Sequence, residues 1–159
     1  MVATIRKGKH TFFKIPRFTF SKKIDFTFRL VGDFSYTADL PENQKDTNKI
    51  FGISDSFHHR RDSIRIGFRY LQGNLELMAY YYNNGVRKSE KIQNIETDKE
   101  YTIKMEISDN LYLLEVDSNK HEFTRTSEWC FVRYLLYPYF GGQEKAKKDL
   151  TFEIFYRLN

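Results

Sequence analysis

Apolar residues recur at every second position along most of the chain, and short polar or glycine-containing breaks separate the runs. A period of two places successive side chains on opposite faces of a β-strand. It predicts strands over residues 11–15, 17–20, 25–31, 34–40, 50–54, 63–71, 74–83, 86–92, 101–108, 111–117, 121–126, 133–140 and 150–158. Turns of hairpin length join the middle strands: Gln72-Gly73, Asn84-Gly85, Asp109-Asn110 and Ser118-Asn119. Asn-Gly is the strongest of these, because both residues tolerate the positive φ of a type I′ turn. Residues 41–48, 55–62 and 141–149 read as loops, and residues 1–9 as a flexible lead-in. No helical period of useful length occurs. About a dozen short strands at this spacing predict an all-β fold, a single two-sheet antiparallel β-sandwich domain over residues 1–159.

The alternation also sorts side chains by face. In the strand over 63–71, Ile64, Ile66, Phe68 and Tyr70 point to the core, while Arg65, Gly67 and Arg69 point away. In the strand over 74–83, Leu75, Leu77, Ala79 and Tyr81 point inward, and Glu76, Met78, Tyr80 and Tyr82 outward. In the strand over 133–140, Tyr134, Leu136, Pro138 and Phe140 take the apolar face, leaving Arg133, Leu135, Tyr137 and Tyr139 opposite. If the three strands share a sheet, its outer surface presents Arg65, Arg69, Glu76, Tyr80, Tyr82, Tyr137 and Tyr139. Flat rings suit the C–H faces of pyranoses, and a guanidinium fork suits a carboxylate. These residues are the candidate ligand-binding set, and a glycan the candidate ligand. The alternative reading is that the tyrosines fill cross-strand pairs or an interface enriched in Tyr and Arg.

Composition narrows the partners. No apolar run approaches the roughly 20 residues of a membrane-spanning helix. The net charge of +5 favours an anionic partner, but basic residues are scattered among 21 acidic ones, which argues against a nucleic-acid footprint. The basic start lacks the apolar core of a signal peptide, so the expectation is a cytosolic chain or one that has lost a leader. Oligomeric state is left open. Cys130 has no second cysteine to pair with, and between Trp129 and Phe131 it is expected to be a buried, inert thiol.

Catalytic motifs are sparse. His58 and His59 are adjacent, so in an extended loop they point opposite ways and read first as a solvated loop pair; the alternative is that one of them, with His58 the candidate, overhangs the arginine and tyrosine face as a general base. Asp33, Asp55, Asp62 and Asp149 lie near loop ends and are the candidates for a calcium ion; no other cofactor is expected. There is no G-x-S-x-G elbow, no phosphate-binding G-x-x-x-x-G-K-[ST] loop and no Glu-x-Asp-x-x-Glu pattern, and Glu76 lacks a carboxylate partner because its same-face neighbour is Met78.

Several segments together resemble the concanavalin A-like lectin/glucanase jelly roll: Lys49-Ile50-Phe51-Gly52-Ile53-Ser54, Ser63-Ile64-Arg65-Ile66-Gly67-Phe68-Arg69, Leu75 to Tyr82, and Leu136-Tyr137-Pro138-Tyr139-Phe140-Gly141-Gly142. Within that superfamily the chain is most similar to secreted polysaccharide-binding and polysaccharide lyase-like domains. The resemblance implies a ligand on the concave sheet, that is, on the arginine and tyrosine face. Lyases of this fold combine an Arg-rich strand, a Gln-x-His strand and a late Tyr-bearing strand. Arg65 and Arg69 match the first, Tyr137 and Tyr139 the last, and no Gln-x-His occurs. The resemblance therefore implies a carbohydrate-binding module first and a uronate lyase second.

Overall fold

A computed structural model describes residues 1–126 and 130–159. Twelve strands form two antiparallel six-stranded sheets. In chain order they are β1 (Val2–Ile5), β2 (Phe18–Thr19), β3 (Lys23–Val31), β4 (Asn48–Ser54), β5 (Ser63–Leu71), β6 (Asn74–Asn83), β7 (Val86–Asn94), β8 (Glu100–Ile107), β9 (Leu111–Val116), β10 (Asn119–Thr124), β11 (Arg133–Leu136) and β12 (Leu150–Leu158). The first sheet runs β1-β12-β3-β8-β9-β10 and the second β2-β11-β4-β5-β6-β7. No helix among the described residues is long and apolar enough to cross a membrane.

The two sheets bury their strands differently. In the first, inward residues such as Phe26 and Phe28 of β3, Ile103 and Met105 of β8, and Phe152 and Ile154 of β12 are buried, and their neighbours are wet. That is the one-sided alternation of an antiparallel sheet with a solvated face. In the second sheet β4 is buried along its whole length, as is most of β5 and β6. Its outer face is therefore covered rather than presented as an open platform. The cover is a strap over residues 11–16 and the segment after β11, held by backbone bonds from Phe140 N to His10 O (2.7 Å) and from Leu135 N to Arg17 O (2.9 Å).

Four segments depart from the alternation. Val2–Ile5, read as lead-in, is strand β1, paired with β12 and burying Ala3 and Ile5. Residues 11–15 are not a strand, because their hydrogen bonds run to isolated carbonyls, Thr11 Oγ1 to Pro138 O among them (3.2 Å). Residues 34–40 are not a strand either. Phe34 plugs the core between Phe68 and Phe152, with ring centroids 5.2 Å from each. The Gln44 side chain stands in for a neighbouring strand there, accepting from Ala38 N (2.7 Å) and donating to Tyr36 O (3.1 Å). The hairpin between β9 and β10 turns on Asp117 and Ser118, both at positive φ, one residue before the expected pair.

One further departure affects the site. Strand β11 stops at Leu136, two residues before Pro138, which has no N–H for a ladder. Its parity is the reverse of the sequence expectation: Arg133 and Leu135 point inward, and Tyr134 and Leu136 line the outer face. The cause is Asp55, fully buried after β4. It accepts from Arg125 Nε (2.5 Å) and Nη2 (3.2 Å), from Tyr112 (3.1 Å) and from Arg133 Nη2 (3.3 Å). A buried guanidinium beside that carboxylate outweighs any apolar preference for position 133. Cys130 is only partly buried, its thiol donating to Val132 O (3.1 Å), and Phe131 is 62% exposed. The expected sealed pocket is absent on that side, and Trp129 lies outside the described residues.

A cationic, tyrosine-lined groove

The outer face of the second sheet holds a groove of about 660 Å³. Its floor is built by cross-strand register. Arg65 of β5 sits opposite Gly52 of β4 and Tyr80 of β6. A Cβ on Gly52 would stand 2.6 Å from Arg65 Cα and 2.9 Å from its Cγ, so only glycine lets the arginine lie there. Arg65 is 7% exposed, and its Nε has no hydrogen-bond partner. Among the described residues no carboxylate pairs with it; its Cζ lies 5.5 Å from the Tyr80 ring centroid. Burial lowers its pKa, yet a guanidinium stays charged at physiological pH.

Lys49 is the second buried cation. A bulge in β4 between Lys49 and Phe51 sends Ile50 and Phe51 into the core and Lys49 to the groove. Re-aiming one side chain is what a bulge does. Its Nζ donates to Gly141 O (3.1 Å) and stands 4.8 Å over the Tyr80 ring and 5.7 Å from that of Tyr139. Burial, and next the Arg65 charge, bring the ammonium down to about 8. Burial likewise pushes the Tyr80 phenol up to about 12.

The loop between β4 and β5 closes one flank. Its ends are tied by Asp55 N to Asp62 O (2.9 Å), and Ser63 Oγ bonds His59 O (2.7 Å). His59 enters the groove, with Nδ1 2.8 Å from the Tyr134 hydroxyl, which also accepts from His59 N (3.1 Å). Burial first, then Arg65 and Arg60, push its imidazole down to about 4, so it is neutral at physiological pH. His58 is exposed, and it is His59, not His58, that lines the groove.

Of the sequence-derived set, Arg65, Tyr80, Tyr82, Tyr137 and Tyr139 come together here, joined by Lys49, His59, Arg60, Arg87 and Tyr134. Arg69 and Glu76 do not. Arg69 holds Glu76 through Nε (2.7 Å) and Nη2 (2.6 Å), and Lys91 holds its other oxygen (2.8 Å). Burial would raise the Glu76 carboxyl, but these cations outweigh it and keep it below the usual range. Thr47 walls this triad off: it lies over Gly67, where a Cβ would be 2.6 Å from its Cγ2, and bonds Ser89 (2.5 Å). The result is a groove lined by Lys14, Lys49, Arg60, Arg65 and Arg87 and, among the described residues, by no carboxylate.

The four loop aspartates have other partners. Asp33 pairs with Lys148, Asp149 with Arg6 (2.6 Å), Asp62 accepts from Asn84 N (2.8 Å), and Asp55 serves the arginines described above. Among the described residues no group of three or more His, Cys, Asp or Glu side chains could hold a metal ion.

Two packed six-stranded antiparallel sheets in this order make a β-sandwich of jelly-roll type. Among solved structures the chain is similar to alginate lyase AlyC3, with a TM-score of 0.65 at 9% identity over 98% of this chain and 74% of that one. It is also similar to a functionally unknown protein from Saccharomyces cerevisiae (TM-score 0.57, 9% identity, 98% and 82% of the two chains) and to the family 7 alginate lyase A1-II′ (TM-score 0.54, 7% identity, 87% and 63%). At such identities the likeness is one of fold. No protein-family model and no curated protein matches the sequence.

Proposed function

We propose that the protein is a carbohydrate-binding β-sandwich that holds an acidic oligo- or polysaccharide in this groove. The observation that carries the reading is the buried Arg65 guanidinium, which has no counter-ion among the described residues, beside an equally buried Lys49 and above tyrosine rings. A desolvated cation with no partner is costly, and an incoming carboxylate repays that cost through charge-assisted bonds. The tyrosines supply apolar faces for pyranose rings. A lining without carboxylates disfavours hydrolysis by paired acids. The shared fold supports an acidic sugar as ligand, since AlyC3 has been seen in complex with dimannuronate.

Calorimetric titration with oligouronates, dimannuronate included, tests this, and the pH profile identifies Lys49. The ligand carboxylates are ionised throughout the neutral and alkaline range, so their charge is constant. Lys49 is protonated below about 8 and loses its charge above it. Affinity is expected to hold to near pH 7.5, by roughly that reckoning, and to weaken several-fold by about pH 9.5. Lys49→Arg should flatten the profile, because arginine keeps its proton. A flat wild-type profile would remove Lys49 from the site.

A second reading rests on one contact, the neutral His59 bonded to Tyr134 beside Arg65. In a uronate lyase, arginine neutralises the carboxylate while histidine or tyrosine moves the proton. Ultraviolet absorbance growing as unsaturated product accumulates from a uronate polymer would favour the enzyme; binding without that growth leaves the module.

A further inference from the structure

The positive charge of this chain has one source. Residues 1–24 hold seven basic and no acidic residues, which leaves 19 basic against 21 acidic in the remainder, so the net +5 arises wholly from the N-terminal segment. Arg6 and Lys23 are ion-paired, but among the described residues Lys7, Lys9, Lys14, Arg17 and Lys22 have no acidic partner. Interleaved with them are the most exposed apolar side chains of the strap and β2: Phe13 at 92%, Phe20 at 78%, Ile15 at 72% and Phe18 at 61%. Large apolar residues scattered singly over a surface need no explanation, but four within eight residues make a patch.

Geometry puts the two kinds of residue together. Phe13, Ile15 and Phe18 surround a shallow depression of about 610 Å³ with Lys14 and Arg17. Lys14 Nζ lies 5.4 Å over the Tyr137 ring, and Arg17 Cζ lies 5.5 Å over that of Tyr156. The cations are thus laid along the patch.

We propose that the strap and β2, residues 13–20, dock this protein on an anionic lipid bilayer. Apolar side chains exposed to different degrees suit a deformable lipid interface, whereas a folded partner would need a matching pocket for each. Basic residues between them attract acidic headgroups, and neither force alone gives firm attachment. The segment's lack of any carboxylate supplies the charge complementarity. The inference is independent of the glycan reading: Phe13, Ile15 and Phe20 do not line the groove, although their neighbours Phe12, Lys14 and Pro16 do.

The test is co-sedimentation of the full chain with phosphatidylcholine vesicles containing about a third phosphatidylserine, compared with phosphatidylcholine alone. Binding only to the acidic vesicles, weakened by salt, is expected. F13S/I15S/F20S and R17Q/K22Q should each lower the partition coefficient about tenfold or more at unchanged melting temperature, given roughly fivefold per basic residue. Failure to bind acidic vesicles, or binding undiminished in both variants, overturns the proposal. So does a solution dimer that F13S/I15S/F20S dissolves, which would assign the patch to self-association. So does a loss of oligouronate affinity in that variant, which would assign it to the groove.

Discussion

Replacing Arg65 by methionine is expected to weaken oligouronate binding roughly thirtyfold or more and at the same time to raise the melting temperature of the free protein. The two effects share one cause. In the free protein the guanidinium is buried and has no counter-ion among the described residues, so it carries a desolvation cost that an anionic ligand offsets. Losing one partner of a buried charge pair costs about 2–5 kcal/mol of binding. Replacing a buried charge by an apolar side chain of similar length is often stabilising, and each kcal/mol moves the midpoint by about 2–4 °C in a domain of this size. Parallel thermal melts and titrations check both halves. Lost binding with a lowered melting temperature would make Arg65 a structural residue and leave the groove without its anchor.

The second large effect lies at Asp55. Asp55→Ala removes the acceptor shared by Arg125, Arg133 and Tyr112, and strands two guanidinium groups in the interior. Breaking a buried pair from one side costs about 3–5 kcal/mol, which is a large share of a typical domain's stability. Urea unfolding should show that loss as a shifted midpoint. The groove should suffer with it, because Arg133 sets the parity that turns Tyr134 outward, and the loop that follows Asp55 delivers His59. A destabilisation below about 1 kcal/mol would mean that water or neighbouring groups replace the carboxylate.

These positions also mark where the sequence was legible and where it was not. Strands β5 and β6 could be read by parity alone, because Ile64, Ile66, Phe68, Leu77, Ala79 and Tyr81 alternate strictly with the residues of the outer face. That reading found Arg65, Tyr80 and Tyr82. Strand β11 defeated it, since Arg133 is inward for the sake of Asp55, 78 positions away in the chain. Alternation ranks arginine as outward and carries no information on a distant partner. Lys49 was hidden by a bulge, which breaks the period of two at the one residue it re-aims. Arg69 and Glu76 share the outer face with Arg65, and a face assignment cannot show Thr47 crossing Gly67 to separate them. Phe34 and Tyr36 look like alternate strand residues, but on irregular backbone Phe34 plugs the core and the half-buried Tyr36 packs against it. Counted along the whole chain the basic residues look scattered, yet their excess lies in residues 1–24, and it gained meaning only once Phe13 and Ile15 proved to be exposed beside it.

The central claim is that the groove recognises negative charge on a sugar. Calorimetric titration of the wild-type protein with an oligouronate, and with the same oligosaccharide after its carboxyl groups are reduced to alcohols, isolates that charge at constant length and ring shape. The account predicts saturable, salt-sensitive binding of the acidic form and at least a tenfold loss on reduction, about 1.4 kcal/mol or more. Equal affinity for the two forms, or tighter binding of the neutral one, would contradict it.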